Sequence, residues 1–299
     1  MLFFHTGALL IMILSFTSCA LAGTSDSSSN APQPLPPLAA VITEPGSLPA
    51  PIQDNSFLIE EAYNQEDGVI QHISCFQKLT TGDWAFAQAD EWPLRSLKHQ
   101  LSVTVAATHA GDFPASGAGW GDTFINYRYQ LLGTGETRLA VAPRLSLLLP
   151  SGNQVMGRGI GGPGLQTNFP LSLVVNRYIV THWNVGATWV PQAKNERQQK
   201  ATAISTNVSQ SVVWLIKPRF NALVETLWTS NAEVVGAGRT TQQHDLYVSP
   251  GIRWAYNFKS GLQIVPGVGL PLGVGPSGGD RGVIFYLSFE HPYKFAHSQ

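Results

Sequence analysis

A strict alternation of apolar and polar residues over long stretches constrains the fold of this chain most. Between residues 244 and 257, apolar side chains occupy nearly every second position, and polar or small side chains occupy the positions between them. Residues 122–131 and 137–149 repeat this period of two. Such alternation is typical of a β-strand with one apolar face, and it does not match the period of an amphipathic helix.

The alternating stretches are long enough to cross a membrane. A strand needs about 9–11 residues to cross a bilayer at a tilt of about 45°, whereas strands of soluble proteins most often have about 5–6 residues. We therefore predict an all-β fold, a transmembrane antiparallel up-and-down β-barrel of about twelve strands. The expected strands cover residues 68–79, 83–90, 98–107, 122–131, 137–149, 165–176, 178–190, 204–216, 219–229, 244–256, 260–272 and 281–290.

The connections between these strands alternate in length. Outer-membrane barrels have short periplasmic turns and long external loops. This order predicts that both ends of the barrel chain lie in the periplasm, which requires an even number of strands. The expected turns are 133–136, 176–177, 217–218 and 257–260, and the expected long loops are 150–164, 191–203, 230–243 and 273–280.

The composition agrees with a membrane barrel. Charged residues make up 12% of the chain, which is about half the share in a typical soluble domain. The mean hydropathy of +0.01 is too low for a bundle of membrane helices. A net charge of −1 offers no basic field to attract nucleic acid. We expect outer-membrane lipid and a small-molecule solute as partners, no nucleic acid, and insertion by the barrel-assembly machinery.

The N-terminal segment has the features of an export signal. Residues 7–22 are apolar and end in Ala-Leu-Ala, a small-x-small cleavage pattern, so we predict a signal peptide over 1–22 and a location in the bacterial outer membrane. Lipid attachment at Cys19 is the alternative. Residues 23–56 are rich in Ser, Pro and Ala and predict a disordered linker. The barrel then covers 68–299.

Short motifs in the strands resemble those of a known family. Residues 119–129, GWGDTFINYRY, are similar to the G-x-G-D-x-x-L-x-Y-R-Y strand of outer-membrane transporters grouped under the label "MetA-pathway of phenol degradation". Residues 148–152, LLPSG, resemble the lxlPTG strand end of that family, and 59–66, IEEAYNQE, resemble a segment of one subgroup. The resemblance spans residues 57–290. It implies an outer-membrane barrel that passes small, aromatic or hydrophobic compounds, and it brings no catalytic residues.

Two glycine-rich stretches match motifs of soluble enzymes without their context. Residues 157–162 match G-x-G-x-x-G, but no helix follows to receive a pyrophosphate. Residues 275–279 match G-x-S-x-G in a segment that we expect to be an external loop. The eight histidines form no i, i+4 pair typical of a metal site. We therefore predict no enzyme activity, no cofactor, no metal and no catalytic residues, and we expect His182 to be a polar wall residue.

The candidate functional residues are charged side chains on the polar faces of the strands. When the apolar face meets lipid, these side chains point into the lumen, because Arg or Lys facing lipid at the midplane costs about 2–4 kcal/mol. The excess of arginine favours a positive constriction that selects anions. The alternative is an internal network of ion pairs that fills the barrel. The candidates are Arg128, Arg138, Arg144, Arg219, Glu225, Asp245 and Arg253.

Residues 57–67 leave two interpretations open. This stretch begins with alternation and then becomes acidic. It could form a short periplasmic strand, or it could plug the barrel and pair with the arginines. The functional alternatives are a solute channel, a structural or adhesive barrel with a filled lumen, and an outer-membrane enzyme, for which the sequence shows no clearly placed catalytic set.

Overall fold

The alternating stretches pair in chain order and close on themselves in the computed structural model, which describes residues 52–109 and 117–293. The predicted barrel of twelve antiparallel strands is confirmed. The strands are β1 Val69–Leu79, β2 Trp84–Pro93, β3 His99–His109, β4 Gly119–Tyr129, β5 Leu139–Val141 with Arg144–Leu149, β6 Gly164–Asn168 with Leu171–Asn176, β7 Ile179–Lys194, β8 Lys200–Lys217, β9 Phe220–Gly236, β10 Arg239–Trp254 with Tyr256–Asn257, β11 Gln263–Gly269 with Leu272–Gly273, and β12 Gly282–Pro292.

The barrel closes where its first and last strands meet. β1 and β12 pair antiparallel from Val69 opposite Pro292 to Leu79 opposite Gly282. The chain enters β1 and leaves β12 at the same end, which we call the turn end; the opposite end is the loop end. Prolines interrupt β5 at Pro143, β6 at Pro170 and β11 at Pro271, because proline has no N–H to donate to a ladder.

The barrel has its apolar face outside and its polar face inside. On β8, Val208, Val212 and Trp214 are exposed, while the alternating Asn207 and Ser209 are buried. Successive side chains of a strand point to opposite faces of the sheet, so the alternation in the sequence separates a lipid-facing belt from the lumen. A closed barrel of this kind leaves no backbone group unpaired in lipid, which places the protein in an outer membrane. Within the described ranges, none of the helices has the length and apolar character needed to span a bilayer.

Two of the predicted long loops are wrong. The expected loops 191–203 and 230–243 are mostly strand, since β7 to β10 run for 16, 18, 17 and 16 residues. The pairing continues to Lys194 opposite Lys200 and to Gly236 opposite Arg239. Beyond the lipid belt the outer face meets water and becomes polar, so the apolar alternation stops although the ladder continues.

The lumen changes character toward the loop end. There the inner face carries small apolar side chains, among them Val190, Ala193 and Ala203, which pack with Phe124 and Leu148 in one buried cluster. Ile160 of the connection between β5 and β6 packs against this cluster. The candidate site lies toward the turn end, where buried polar wall residues alternate with a second apolar cluster that includes Val180, Val213 and Leu223.

The predicted signal peptide, Cys19 and residues 23–51 of the predicted linker lie outside the described residues. Residues 52–56, which we expected in the linker, lie inside the barrel, where four of the five are buried.

Candidate functional site

Five of the seven charged candidates lie in the lumen. Arg128 on β4, Arg144 on β5, Glu225 on β9, and Asp245 and Arg253 on β10 are each no more than 5% exposed. All five occupy inward positions of their strands. Buried charges need partners, and four of these side chains find theirs beside one another in the turn-end half of the lumen. Asp245 lies apart from them toward the loop end, where Ser277 donates to its Oδ1 at 3.1 Å.

The assignment of Arg138 and Arg219 to the lumen is wrong. Both side chains are exposed in connections at the turn end. Each lies two residues before an inward-facing residue, Ala140 or Asn221, so alternation assigns it to the inner face. Each nevertheless lies outside the strand, at the rim of the barrel. The Nε of Arg138 donates a hydrogen bond of 3.3 Å to the carbonyl oxygen of Val174 at the rim. Alternation predicts which face a side chain occupies, but it does not predict the depth of that side chain in the barrel.

The wall acids outnumber the wall arginines once these positions are corrected. Glu91 on β2 is a lumen residue, 8% exposed, just beyond the end of the strand predicted at 83–90. The buried wall carries three arginines (Arg128, Arg144 and Arg253) and four acids at inward strand positions (Glu91, Asp122, Glu225 and Asp245), and Glu290 shares the inward face of β12 with Ser288. The excess of arginine that favoured an anion-selective constriction is absent, so we expect no preference for anions.

A segment of the chain folds back into the lumen. Residues 52–65, which we call the inner segment, are buried except for the half-buried Gln53. The segment enters at the turn end, where the amide of Gln53 donates to the carbonyl oxygen of Gly135 at 2.6 Å. Its tip lies deeper in the barrel at residues 57–60. It returns to the turn end, where Asn64 donates to the carbonyl oxygen of Leu97 at 2.9 Å.

Wall side chains take the place of a neighbouring strand for the inner segment. The backbone N–H groups of alternate residues donate to side-chain oxygens of the wall. Buried N–H groups need an acceptor, so the wall holds the segment in one register. The pairs are Leu58 to Glu225 at 2.7 Å, Glu60 to Asn184 at 3.0 Å, Ala62 to Ser172 at 2.8 Å, and Asn64 to Gln130 at 2.9 Å.

The three lumen arginines all bind the inner segment. Arg144 forms a forked ion pair with Glu60, with contacts of 3.1 Å from Nε and 2.8 Å from Nη2. Arg253 donates to the carbonyl oxygens of residues 54 and 55, at 2.5 and 2.6 Å. Arg128 donates to Asn64 Oδ1 at 2.8 Å and lies 3.7 Å from Glu91. An ion-pair network inside the barrel was the predicted alternative to a positive constriction. That network therefore includes residues of the inner segment.

Two small cavities lie beside the inner segment. One cavity of about 30 Å³ lies between Glu60, Glu91 and Arg144, and another of about 20 Å³ lies beside Tyr63 and Arg253. A water molecule needs about 10–15 Å³ of such space, so these cavities have room for about one to three waters each. Neither of these two cavities is large enough for a solute molecule.

Asp122 joins the three glycine-containing motifs at the loop end. Its two carboxylate oxygens accept hydrogen bonds from the backbone N–H groups of Gly152, at 3.0 Å, and Ile160, at 2.8 Å. Ser151 donates to the carbonyl oxygen of Gly121 at 3.1 Å. The motifs at 119–129, 148–152 and 157–162 therefore anchor the loop 150–163 to β4.

Replacing Asp122 with Ala should release this loop. Hydrogen bonds to a charged group contribute about 1.5–3 kcal/mol each, and the variant loses two of them. We expect trypsin to cleave after Arg158 at least about tenfold faster than in the unchanged protein, because each 1.4 kcal/mol is a factor of ten in the population of an open loop. Thr123→Ala removes only an exposed hydroxyl contact to Ser151 and is the matched control. Equal cleavage rates in Asp122→Ala and the control would contradict this anchoring role.

Sequence reasoning missed the neutral partners of the inner segment. Gln130, Ser172 and Asn184 are buried acceptors, but a neutral polar residue on a strand does not differ from an ordinary wall residue. His182, expected as a wall residue, is buried, and its Nδ1 lies 2.7 Å from Ser172 Oγ. One signal of the inner segment was present in the sequence, namely the alternation at the start of residues 57–67. The wall binds the backbone N–H groups of every second residue there, from Leu58 to Asn64.

No family model and no curated protein matches the sequence. The crystal structure of an outer membrane channel from Pseudomonas putida F1 is similar to this chain with a TM-score of 0.58, at 12% sequence identity, over 78% of this chain and 98% of that chain. The NanC porin structure aligns with a TM-score of 0.48 at 9% identity, over 76% of this chain and all of that chain. At such identities the first comparison shows the fold alone, a membrane-spanning barrel of the outer-membrane type.

Proposed function

We propose that this chain is a gated passive channel for small solutes across the outer membrane. The observation that carries the proposal is the way in which the inner segment is held. Its backbone and charges bind polar wall side chains such as Glu225, Asn184 and Arg144. These polar wall groups are also good partners for water, so the polar part of the wall becomes solvated when the segment moves out.

The polar lining meets the requirement of a conducting lumen. A channel needs polar groups in its wall, because the wall faces water whenever the channel conducts. Well-packed apolar residues of similar volume often stabilise a closed interior at least as well as buried ion pairs do. An ion-pair network also occurs in filled barrels, so measured current separates the two functions.

The resemblance of residues 57–290 to the MetA-pathway family favours small aromatic or hydrophobic solutes. The described lumen wall carries no excess of arginine, so its charge does not favour anionic over neutral solutes. The fold shared with the Pseudomonas putida F1 channel is compatible with this role.

Planar-bilayer recording on the refolded chain tests the proposal. We expect rare, discrete current steps in the unchanged protein, since the inner segment must leave before ions pass. Heat-modifiable gel migration establishes that the barrel is folded. A folded barrel that passes no current, even after residues 52–65 are deleted, would contradict the channel.

A structural barrel with a filled lumen is the second candidate. The apolar cluster around Phe124 and Leu148 at the loop end favours it, because that cluster narrows the path beyond the polar lumen. In that case the external loops carry the function and deleting the inner segment leaves the current at zero.

A further inference from the structure

Three glycines form a flat niche in the lumen wall. Gly251 of β10 lies directly opposite Gly269 of β11 in the ladder, and Gly267 is the next inward position on β11. Cross-strand Cβ atoms lie about 4.5–5.5 Å apart, so three missing side chains at adjacent inward positions leave a recess the width of a ring.

Larger side chains surround this niche. In the ladders, Leu223 of β9 lies opposite Gly251, Ile284 of β12 lies opposite Gly269, and Tyr286 of β12 lies opposite Gly267. All three are buried at 3% exposure or less. The niche therefore has a floor of backbone and walls of apolar and aromatic side chains.

The ring of Phe57, at the tip of the inner segment, fills the niche. A Cβ atom at Gly251 or Gly267 would lie 2.4 Å from an atom of this ring, and one at Gly269 would lie 2.8 Å from it. The centroids of the Phe57 and Tyr286 rings are 5.3 Å apart, with a tilt of 40°. Aromatic pairs favour centroid distances of about 4.5–7 Å. The recess is thus shaped for a single planar ring.

A polar group without a partner lies beside the ring. Ser249 is fully buried, and its hydroxyl makes no hydrogen bond within the described residues. The hydroxyl oxygen is 3.2 Å from the Cβ position of Gly269, next to the Phe57 ring. An unpaired buried hydroxyl loses free energy, and the phenyl ring of Phe57 has nothing to offer it. A ring with a hydrogen-bonding substituent would satisfy this group.

We propose that the niche formed by Gly251, Gly267 and Gly269 is a binding site for a small aromatic ring with a hydrogen-bonding substituent, and that Phe57 occupies it in the closed barrel. This inference rests on the proposed function and names its solute class. The solute and Phe57 compete for one niche, so bound solute shifts the population toward barrels whose inner segment has moved out.

Equilibrium binding of phenol to the Phe57→Ala barrel tests the site without any need for transport. Isothermal titration calorimetry in detergent micelles compares phenol with cyclohexanol, which has the same hydroxyl on a thicker, non-aromatic ring. We expect Phe57→Ala to bind phenol at least about tenfold more tightly than the unchanged protein, because the niche no longer has to be vacated. Cyclohexanol should bind weakly to both.

Filling the niche gives the matched control. In Phe57→Ala/Gly269→Ala, the new methyl group occupies the niche. Two of the three atoms nearest to that Cβ position belong to the removed ring, and the third is Ser249 Oγ at 3.2 Å. One extra methyl in a pocket changes binding by about 10–200-fold, so phenol affinity should fall by at least about tenfold. Gel migration with and without heating verifies that each variant is folded.

The hydroxyl contact has its own pair of variants. Ser249→Ala in the Phe57→Ala barrel should weaken phenol binding, whereas Ser209→Ala, which removes another buried hydroxyl without a partner among the described residues, should not. Phenol binding that is equal in Phe57→Ala and in the niche-filled variant would overturn the proposal. That result would leave the channel untouched, because current through the barrel is measured separately and does not depend on phenol.

Discussion

Deleting residues 52–65 is expected to open the barrel and to raise the mean current per folded barrel at least about tenfold, since a lumen filled with chain becomes a lumen filled with water. The deletion removes Glu60, the partner of Arg144, and the carbonyl oxygens that bind Arg253. Water replaces these partners, so the arginines remain solvated and the barrel stays folded. Planar-bilayer recording at symmetric salt measures the change.

A salt gradient across the same bilayer then reports charge selectivity. The described lumen wall carries three arginines against the four acids Glu91, Asp122, Glu225 and Asp245, so we expect a weak preference for cations rather than for anions. Deletion of residues 26–39 removes the same length of chain from the preceding part and should leave the current unchanged. A folded barrel that lacks 52–65 and conducts no better than the unchanged protein would contradict the closing role of the inner segment.

Glu60→Gln should produce the second large effect. The substitution keeps the shape of the side chain but removes the negative charge that Arg144 contacts at 2.8 Å. Removing one partner of a buried ion pair costs about 3–5 kcal/mol. The guanidinium regains water when the inner segment leaves, so this cost acts on the equilibrium between the closed and open barrels. About 3 kcal/mol corresponds to roughly a hundredfold rise in open probability, at 1.4 kcal/mol per factor of ten.

Two variants make the result on Glu60 specific. Glu66→Gln removes the same charge at an exposed position next to the inner segment and should leave the open probability unchanged. Glu60→Met/Arg144→Met removes both charges, so no unpaired charge stays buried, and it should return the channel toward its closed state. An open probability that rises equally in Glu60→Gln and Glu66→Gln would argue for a general charge effect instead of this ion pair.

Much of the barrel could be predicted because lipid and lumen impose opposite requirements on adjacent residues. Each predicted strand corresponds to one strand of the structure, and β4 and β12 begin and end within three residues of their predicted bounds. The predictions for 191–203 and 230–243 were wrong because water replaces lipid around the upper parts of β7 to β10. There the outer face loses its apolar residues while the backbone ladder continues.

The candidate site was predictable only in part. Arg128, Arg144, Glu225, Asp245 and Arg253 followed from alternation, because a charge is tolerated only on the inner face. Arg138 and Arg219 have the same parity, but depth along the barrel depends on where each strand meets the rim. For residues 57–67 the sequence did not decide between a periplasmic strand and a plug, because both conformations place every second residue against polar partners.

The sequence by itself determined a closed antiparallel membrane barrel with polar and charged side chains inside, because a period of two with one apolar face has no other stable solution in a bilayer. Tertiary structure alone decided what fills that barrel. The pairing of Arg144 with Glu60 and the meeting of Gly251, Gly267 and Gly269 around Phe57 join residues far apart in the chain. Such contacts depend on strand order, register and depth, which fix distances that no local pattern of residues contains.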